Sequence, residues 1–171
     1  SKSVYPIGTP TFIKTLEDES IPISDDADIV LLAFDTTLTY DKLWRANVLL
    51  EKGREFIATH PDTVCPSDRG DMPDVGSLMA LLECSSGRAP SVICGKPHSP
   101  MAEIISHLFD IPKEKIVMVG DRLYTDILFG INNGYQSALV LSGETTVEML
   151  NASGIKPTFV FDSIRDMIAD D

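Results

Sequence analysis

The segment Val117-Met118-Val119-Gly120-Asp121-Arg122-Leu123-Tyr124-Thr125-Asp126 runs from an apolar stretch into two carboxylates. Such a run, closed by Gly-Asp and followed by a helical pattern, predicts a buried strand turning into a helix, with both carboxylates at the strand's carboxyl end. Ligands of open parallel sheets lie outside those strand ends, where a hard divalent cation such as Mg²⁺ is held by carboxylate oxygen together with substrate phosphate. The same residues also suit a plainer role, Asp121 closing a strand and Asp126 charging a helix N-terminus. A second apolar run, Val92-Ile93-Cys94, ends in Gly95-Lys96-Pro97. A lysine fixed there neutralises a phosphate or a crowded carboxylate cluster, with Pro97 restricting its loop. A solvated lysine between strand and helix is the alternative.

These residues need a scaffold that brings strand ends together, and the pattern supplies one. Strand-like runs at Ser3–Ile7, Ile29–Phe34, Glu55–Thr59, Pro90–Cys94, Lys115–Val119, Ser137–Leu141 and Thr158–Phe161 alternate with amphipathic segments, which predicts α/β architecture. Thr39 is placed to cap a helix ending near Lys52-Gly53, Ser99-Pro100 opens one reaching about Phe109, and Asn132-Asn133-Gly134 ends one begun near Thr125. The stretch Cys65–Gly76 is the loosest part of the chain, and Ser85–Pro90 is a second break. A domain boundary is expected there, dividing residues 1–88 from 89–171, although either loop also fits a surface connection within one domain.

Composition narrows the partners. Fourteen basic residues against 26 acidic ones give a formal charge of −12, which opposes binding to nucleic acid or to an anionic membrane surface. An anionic substrate must therefore meet local positive charge, a cation or exposed backbone N–H groups. The three cysteines, Cys65, Cys84 and Cys94, include no C-x-x-C pair, so neither a disulfide framework nor a zinc site is expected. No apolar run has the length of a membrane span, and Ser1-Lys2-Ser3 does not read as a signal peptide, so a cytoplasmic location is expected.

Gly95-Lys96-Pro97 followed by Gly120-Asp121-Arg122-Leu123-Tyr124-Thr125-Asp126 resembles motifs III and IV of the haloacid dehalogenase (HAD) superfamily. Phe34-Asp35-Thr36-Thr37-Leu38-Thr39-Tyr40-Asp41-Lys42-Leu43, Phe56-Ile57-Ala58-Thr59-His60-Pro61-Asp62 and Asp126-Ile127-Leu128-Phe129-Gly130 are similar to the p-nitrophenylphosphatase, phosphoglycolate and pyridoxal-phosphate phosphatase branch. That branch inserts a large α/β cap between motifs II and III. The resemblance implies an α/β cap over 1–88 and a partial parallel HAD-like core sheet over 89–171. It also implies a Mg²⁺-dependent phosphatase working through an aspartyl-phosphate on a small phosphorylated metabolite, commonly as a homodimer. By resemblance Lys96 is the catalytic partner of phosphate and nucleophile, Asp121 a direct metal ligand, and Asp126 a metal-site carboxylate. Motif I, Asp-x-Asp-Gly, which carries the family's nucleophile, has no counterpart in the sequence, so the chain is expected to be a fragment inactive on its own.

Other readings stay open. A compact, complete enzyme would use Asp35 as nucleophile and Thr59 in motif II, since Asp35, Thr59, Lys96 and Asp121 occur in the right order; Asp35 is otherwise a strand-end or capping residue. A noncatalytic binding or dimerisation module is a reading of a different class, and a receiver-like domain a third. His60 departs from the Asn of the family's cap segment, so His60 and Asp62 stand as candidate substrate contacts against an equal alternative in which His60 is a loop histidine with no role. His98 and His107 are expected on helix surfaces or in packing, Trp44 in the core of an amphipathic helix, and Cys94 in a buried strand as a small hydrophobe.

Overall fold

The computed structural model describes residues 2–168, and the chain divides into two units, one ending at Cys94 and the next beginning at Gly95. In the first unit the elements are β1 (Val4–Ile7), α1 (Pro10–Asp18), β2 (Ile29–Leu32), α2 (Tyr40–Glu51), β3 (Glu55–Ala58), β4 (Val64–Cys65), β5 (Met72–Pro73), α3 (Val75–Ser86) and β6 (Val92–Ile93). A parallel sheet of order β1-β2-β3-β6 is its frame. The division lies beyond the expected boundary at 88/89 because Val92–Ile93 pairs with Ile57–Ala58 of β3, and so belongs to the first sheet.

Period-two alternation decides which face of this sheet is packed. Val30 and Leu32 of β2 and Phe56 and Ala58 of β3 are buried, while their neighbours are only partly so. Those four residues form one cluster with Ala46, Leu49 and Leu50 of α2 and with Val75 and Leu82 of α3. Burying one such leucine stabilises the unit by roughly 2 kcal/mol. The helices start where short polar side chains satisfy free N–H groups: Thr39 Oγ1 accepts from Lys42 N at 3.3 Å, and Asp74 Oδ1 from Val75 N at 2.6 Å. Gly87 ends α3 in the left-handed region at φ 69°.

Trp44 corrects the expectation of a core residue, for it is 64% exposed. The buried stripe of α2 is Ala46, Leu49 and Leu50, and at 100° per residue Trp44 lies about 200° from Ala46, on the same turn-to-turn row as exposed Val48. The stretch Cys65–Gly76, expected to be loose, holds the antiparallel pair β4–β5 around a turn in which Gly70 N donates to Ser67 O at 3.1 Å.

In the second unit α4 (Pro100–Phe109), β7 (Val117–Gly120), α5 (Leu128–Asn133), β8 (Gln136–Val140), α6 (Val147–Ser153) and β9 (Phe159–Phe161) follow, with a π-helical turn over Leu123–Ile127 before α5. The sheet is parallel, of order β7-β8-β9. Its core is split into two small clusters. Ala102, Phe129 and Tyr135 pack with Met118, and Leu123, Ile127 and Leu139 with Leu150 and Ile155. Ile104, Leu108 and Phe109 on α4 are all exposed, and β7 has no partner strand on its second edge among the described residues. His107 is exposed on α4 and His98 is exposed on the bend before it, while Cys94, expected in a buried strand, is half-buried just past β6, its burial pushing the thiol pKa up. No helix among the described residues is long and apolar enough to cross a membrane.

Candidate active site

The second unit gathers the charged residues singled out by their spacing. Asp121 directly follows β7, and Lys96 stands on the turn closed by His98 N donating to Gly95 O at 3.1 Å. The π-turn, in which Ile127 N donates to Arg122 O at 3.1 Å, is one residue wider than an α-turn and carries Asp126 back over the strand end. There Asp126, 5% exposed, accepts from Lys96 Nζ at 2.5 Å through Oδ1 and from Arg122 N at 3.2 Å through Oδ2. A Cβ at Gly120 would overlap this carboxylate, so the strand must end in glycine for Asp126 to close over it.

Asp121 is held differently. Its Oδ2 accepts from Glu144 N at 2.8 Å and its backbone carbonyl from Thr145 N at 3.2 Å, while a Cβ at Gly143 would overlap its carboxyl group. Arg122 Nε pairs with Glu144 Oε2 at 2.7 Å. Its other oxygen, Oδ1, takes no hydrogen bond from the described residues. The donor set is therefore hard carboxylate oxygen beside a lysine, of the kind that suits Mg²⁺ and a phosphate together. Gly143 and Glu144 were not expected at this site. Glu144 contributes a backbone N–H, which any non-proline residue carries, and no side-chain type announces it.

The remaining candidates lie in the first unit, at the carboxyl ends of its strands. Asp35 follows β2, and its side chain is fully buried. It accepts from Thr37 N at 2.8 Å and Thr37 Oγ1 at 2.7 Å through Oδ1, and from Lys42 Nζ at 2.6 Å through Oδ2. Burial works to raise its pKa, but the Lys42 and Thr37 hydrogen bonds and the Lys42 charge outweigh burial and hold it below the ordinary aspartate range. A compact enzyme built on Asp35 and Thr59 needs them on one sheet with the strand before Asp121. They follow β2 and β3 of the four-stranded sheet instead, whereas β7 belongs to the other sheet. Asp35 thus serves a local ion pair, with Oδ1 engaged by Thr37 and Oδ2 by Lys42.

His60 and Asp62 follow β3. His60 Nε2 lies 2.9 Å from Asp74 Oδ1 and its Nδ1 2.9 Å from Thr59 Oγ1. Ligand-capable atoms of His60, Asp62 and Asp74 all fall within 4.8 Å of one another. Gly76 N donating to Asp62 O at 2.7 Å and Asp74 N to Thr63 O at 3.0 Å fasten this loop to the start of α3. Asp74 was not foreseen as the partner of His60, because fourteen residues and the β4–β5 pair separate them in sequence.

The HAD-hydrolase-like family matches residues 93–167, the stretch that contains Lys96, Asp121 and Asp126. A 4-nitrophenylphosphatase from Thermotoga maritima is 47% identical and superposes with a TM-score of 0.92 over 97% of this chain and 64% of its own. The chain is similar to the HAD-like phosphatases in both sequence and fold. An acid sugar phosphatase from Staphylococcus haemolyticus is 34% identical over 98% of this chain and 64% of its own length. A 5′-nucleotidase from Bacillus subtilis is 34% identical over 97% of this chain and 65% of its own. The chain therefore spans a little under two thirds of the length of these relatives.

Proposed function

We propose that residues 1–171 are the α/β cap and the C-terminal part of the core of a Mg²⁺-dependent phosphatase that hydrolyses small phosphate esters in the cytoplasm. The nucleophilic aspartate lies outside these residues on this reading. One observation carries it: Lys96, Asp126 and Asp121 meet at the carboxyl end of β7, inside the segment that matches the family.

Each residue has a role that follows from its contacts. Asp126, tied to the Lys96 ammonium and the Arg122 N–H, fixes where the Lys96 charge sits. Lys96, with its side chain 38% exposed, offers its remaining donors to a phosphoryl oxygen and to the attacking carboxylate. Asp121, whose Oδ1 takes no hydrogen bond from the described residues, would hold the cation directly. When bound, Mg²⁺ supplies positive charge opposite the phosphoryl oxygens. Transfer of the phosphoryl group to an aspartate outside residues 1–171, with release of the alcohol, and attack of water on that aspartyl-phosphate, with release of inorganic phosphate and the free carboxylate, complete the reaction. His60 and Asp62 are the first unit's candidate substrate contacts on this reading, in which cap loops select among esters.

The chain alone is expected to hydrolyse p-nitrophenyl phosphate in Mg²⁺ no faster than buffer. Fused to the third of the Thermotoga maritima relative that it does not match, it should gain Mg²⁺-dependent turnover, and Asp121→Asn should remove that turnover. Turnover by the chain alone that Asp35→Asn abolishes would overturn the reading in favour of a compact enzyme. A fusion whose activity ignores Asp121→Asn would overturn the assignment of the cation site.

A further inference from the structure

We propose that the turn Gly143-Glu144-Thr145, between β8 and α6, positions Asp121, committing one carboxylate oxygen to the protein and leaving the other for the cation. The inference rests on the phosphatase reading above, and it assigns the site a wall from a part of the chain that carries none of its charged ligands. Three independent contacts point the same way. Glu144 N donates to Asp121 Oδ2 at 2.8 Å, Thr145 N donates to the Asp121 carbonyl at 3.2 Å, and the Asp121 carboxyl fills the space that a side chain at residue 143 would take. Both ends of the residue are thereby fixed, backbone and side chain.

The anchor itself is firm. Thr145 is 2% exposed, and Thr146 Oγ1 accepts from Met149 N at 3.3 Å to start α6. Arg122 Nε on Glu144 Oε2 adds a tie from the neighbour of Asp121. A carboxylate free to rotate would present either oxygen, or swing away to solvent. Held through Oδ2, it presents Oδ1 in one direction, and a cation then binds without the cost of ordering its ligand. Gly143 is a positioning residue on this argument, since glycine alone lets the turn approach the carboxyl group this closely.

Mn²⁺ added to the ¹⁵N-labelled chain is the probe, because paramagnetic broadening of nearby amides reports weak binding without turnover. Amides of residues 120–126 and 143–145 should broaden, and Gly143→Ala should need at least about tenfold more Mn²⁺ for the same effect while amides far from the site keep their positions. Broadening unchanged in Gly143→Ala but lost in Asp121→Ala would overturn the positioning role alone. Broadening that survives Asp121→Ala, or none in the unsubstituted chain, would overturn the cation site and this inference with it. A second measurement avoids altering the turn: in Asp121→Ala the Glu144 amide should exchange with deuterium about tenfold faster. Unchanged protection of that amide would also overturn the proposal.

Discussion

Asp35→Asn is the sharpest test of how the first unit is held, because the site is buried and its partners are few. The native carboxylate accepts three hydrogen bonds at 2.6 to 2.8 Å, one of them from the ammonium of Lys42. Asparagine keeps an acceptor for Thr37 but turns an N–H₂ group toward Lys42, setting donor against donor. Breaking a buried pair on one side costs roughly 3–5 kcal/mol. Lys42 retains Gly8 O at 3.2 Å and Thr37 O at 3.3 Å and is partly solvated, which lowers the estimate to about 2–3 kcal/mol. At about 4–8 °C per kcal/mol for a unit of this size, the melting temperature of the first unit should fall by roughly 10–20 °C at pH 7.

The pH dependence fixes the mechanism. Asp35 has a lowered pKa in the folded protein, so its contribution is present above the unfolded-state value and is lost as pH falls through the folded value. The gap between native and Asp35→Asn proteins, read by circular dichroism, should therefore be full at pH 7 and shrink below about pH 4. Lys42→Met in the Asp35→Asn background should cost less than the sum of the single changes. Equal melting of native and Asp35→Asn proteins at pH 7, or a gap that does not change with pH, would refute the ion-pair account.

Three further outcomes are expected. Gly120→Ala should push the Asp126 carboxylate off the end of β7 and destabilise the second unit by about 1–3 kcal/mol, measured by urea unfolding. The fluorescence of Trp44, the single tryptophan, should be quenched by iodide in the folded protein almost as readily as in urea; a shielded Trp44 would contradict its place on α2. Replacing exposed Leu108 and Phe109 of α4 by serine and asparagine should reduce self-association in sedimentation velocity, and association unaffected by both would remove that face as its cause.

The strands of the two parallel sheets were legible because most are short apolar runs closed by Gly, Asp or Thr, and the parallel pairing follows from the helices between them. The helix over Tyr40–Glu51 was legible from Thr39 at its start, and its termination from Lys52-Gly53. Trp44 was not, since an aromatic residue near an apolar stripe satisfies the eye before the angle is counted. The two-residue strands β4 and β5 carry too few positions for any period to show. Within the site, Lys96, Asp121 and Asp126 were singled out by type and spacing, and the structure pairs Lys96 with Asp126. What spacing could not give was the role of backbone. The Glu144 N–H on Asp121 and the glycine slots at 120 and 143 depend on how loops from separate strands meet.

The charge at this site explains why, on the proposed reading, a chain this acidic needs its cation to hold a phosphate ester. Around the end of β7, two cationic side chains, Lys96 and Arg122, stand beside three carboxylates, Asp121, Asp126 and Glu144. Lys96 and Arg122 are already paired with Asp126 and Glu144, so the charge left over is that of Asp121. A dianionic phosphate approaching this arrangement meets a net negative site on a protein whose overall charge is −12, and Lys96 alone does not reverse the sign. A divalent cation on Asp121 offsets that negative charge. Cation and phosphate must then strengthen each other's binding, because the favourable interaction between them belongs to both equilibria. The acidity of the chain is in this view compatible with an anionic substrate only through that linkage, which is why the orientation of a single carboxylate, Asp121, carries so much of the function.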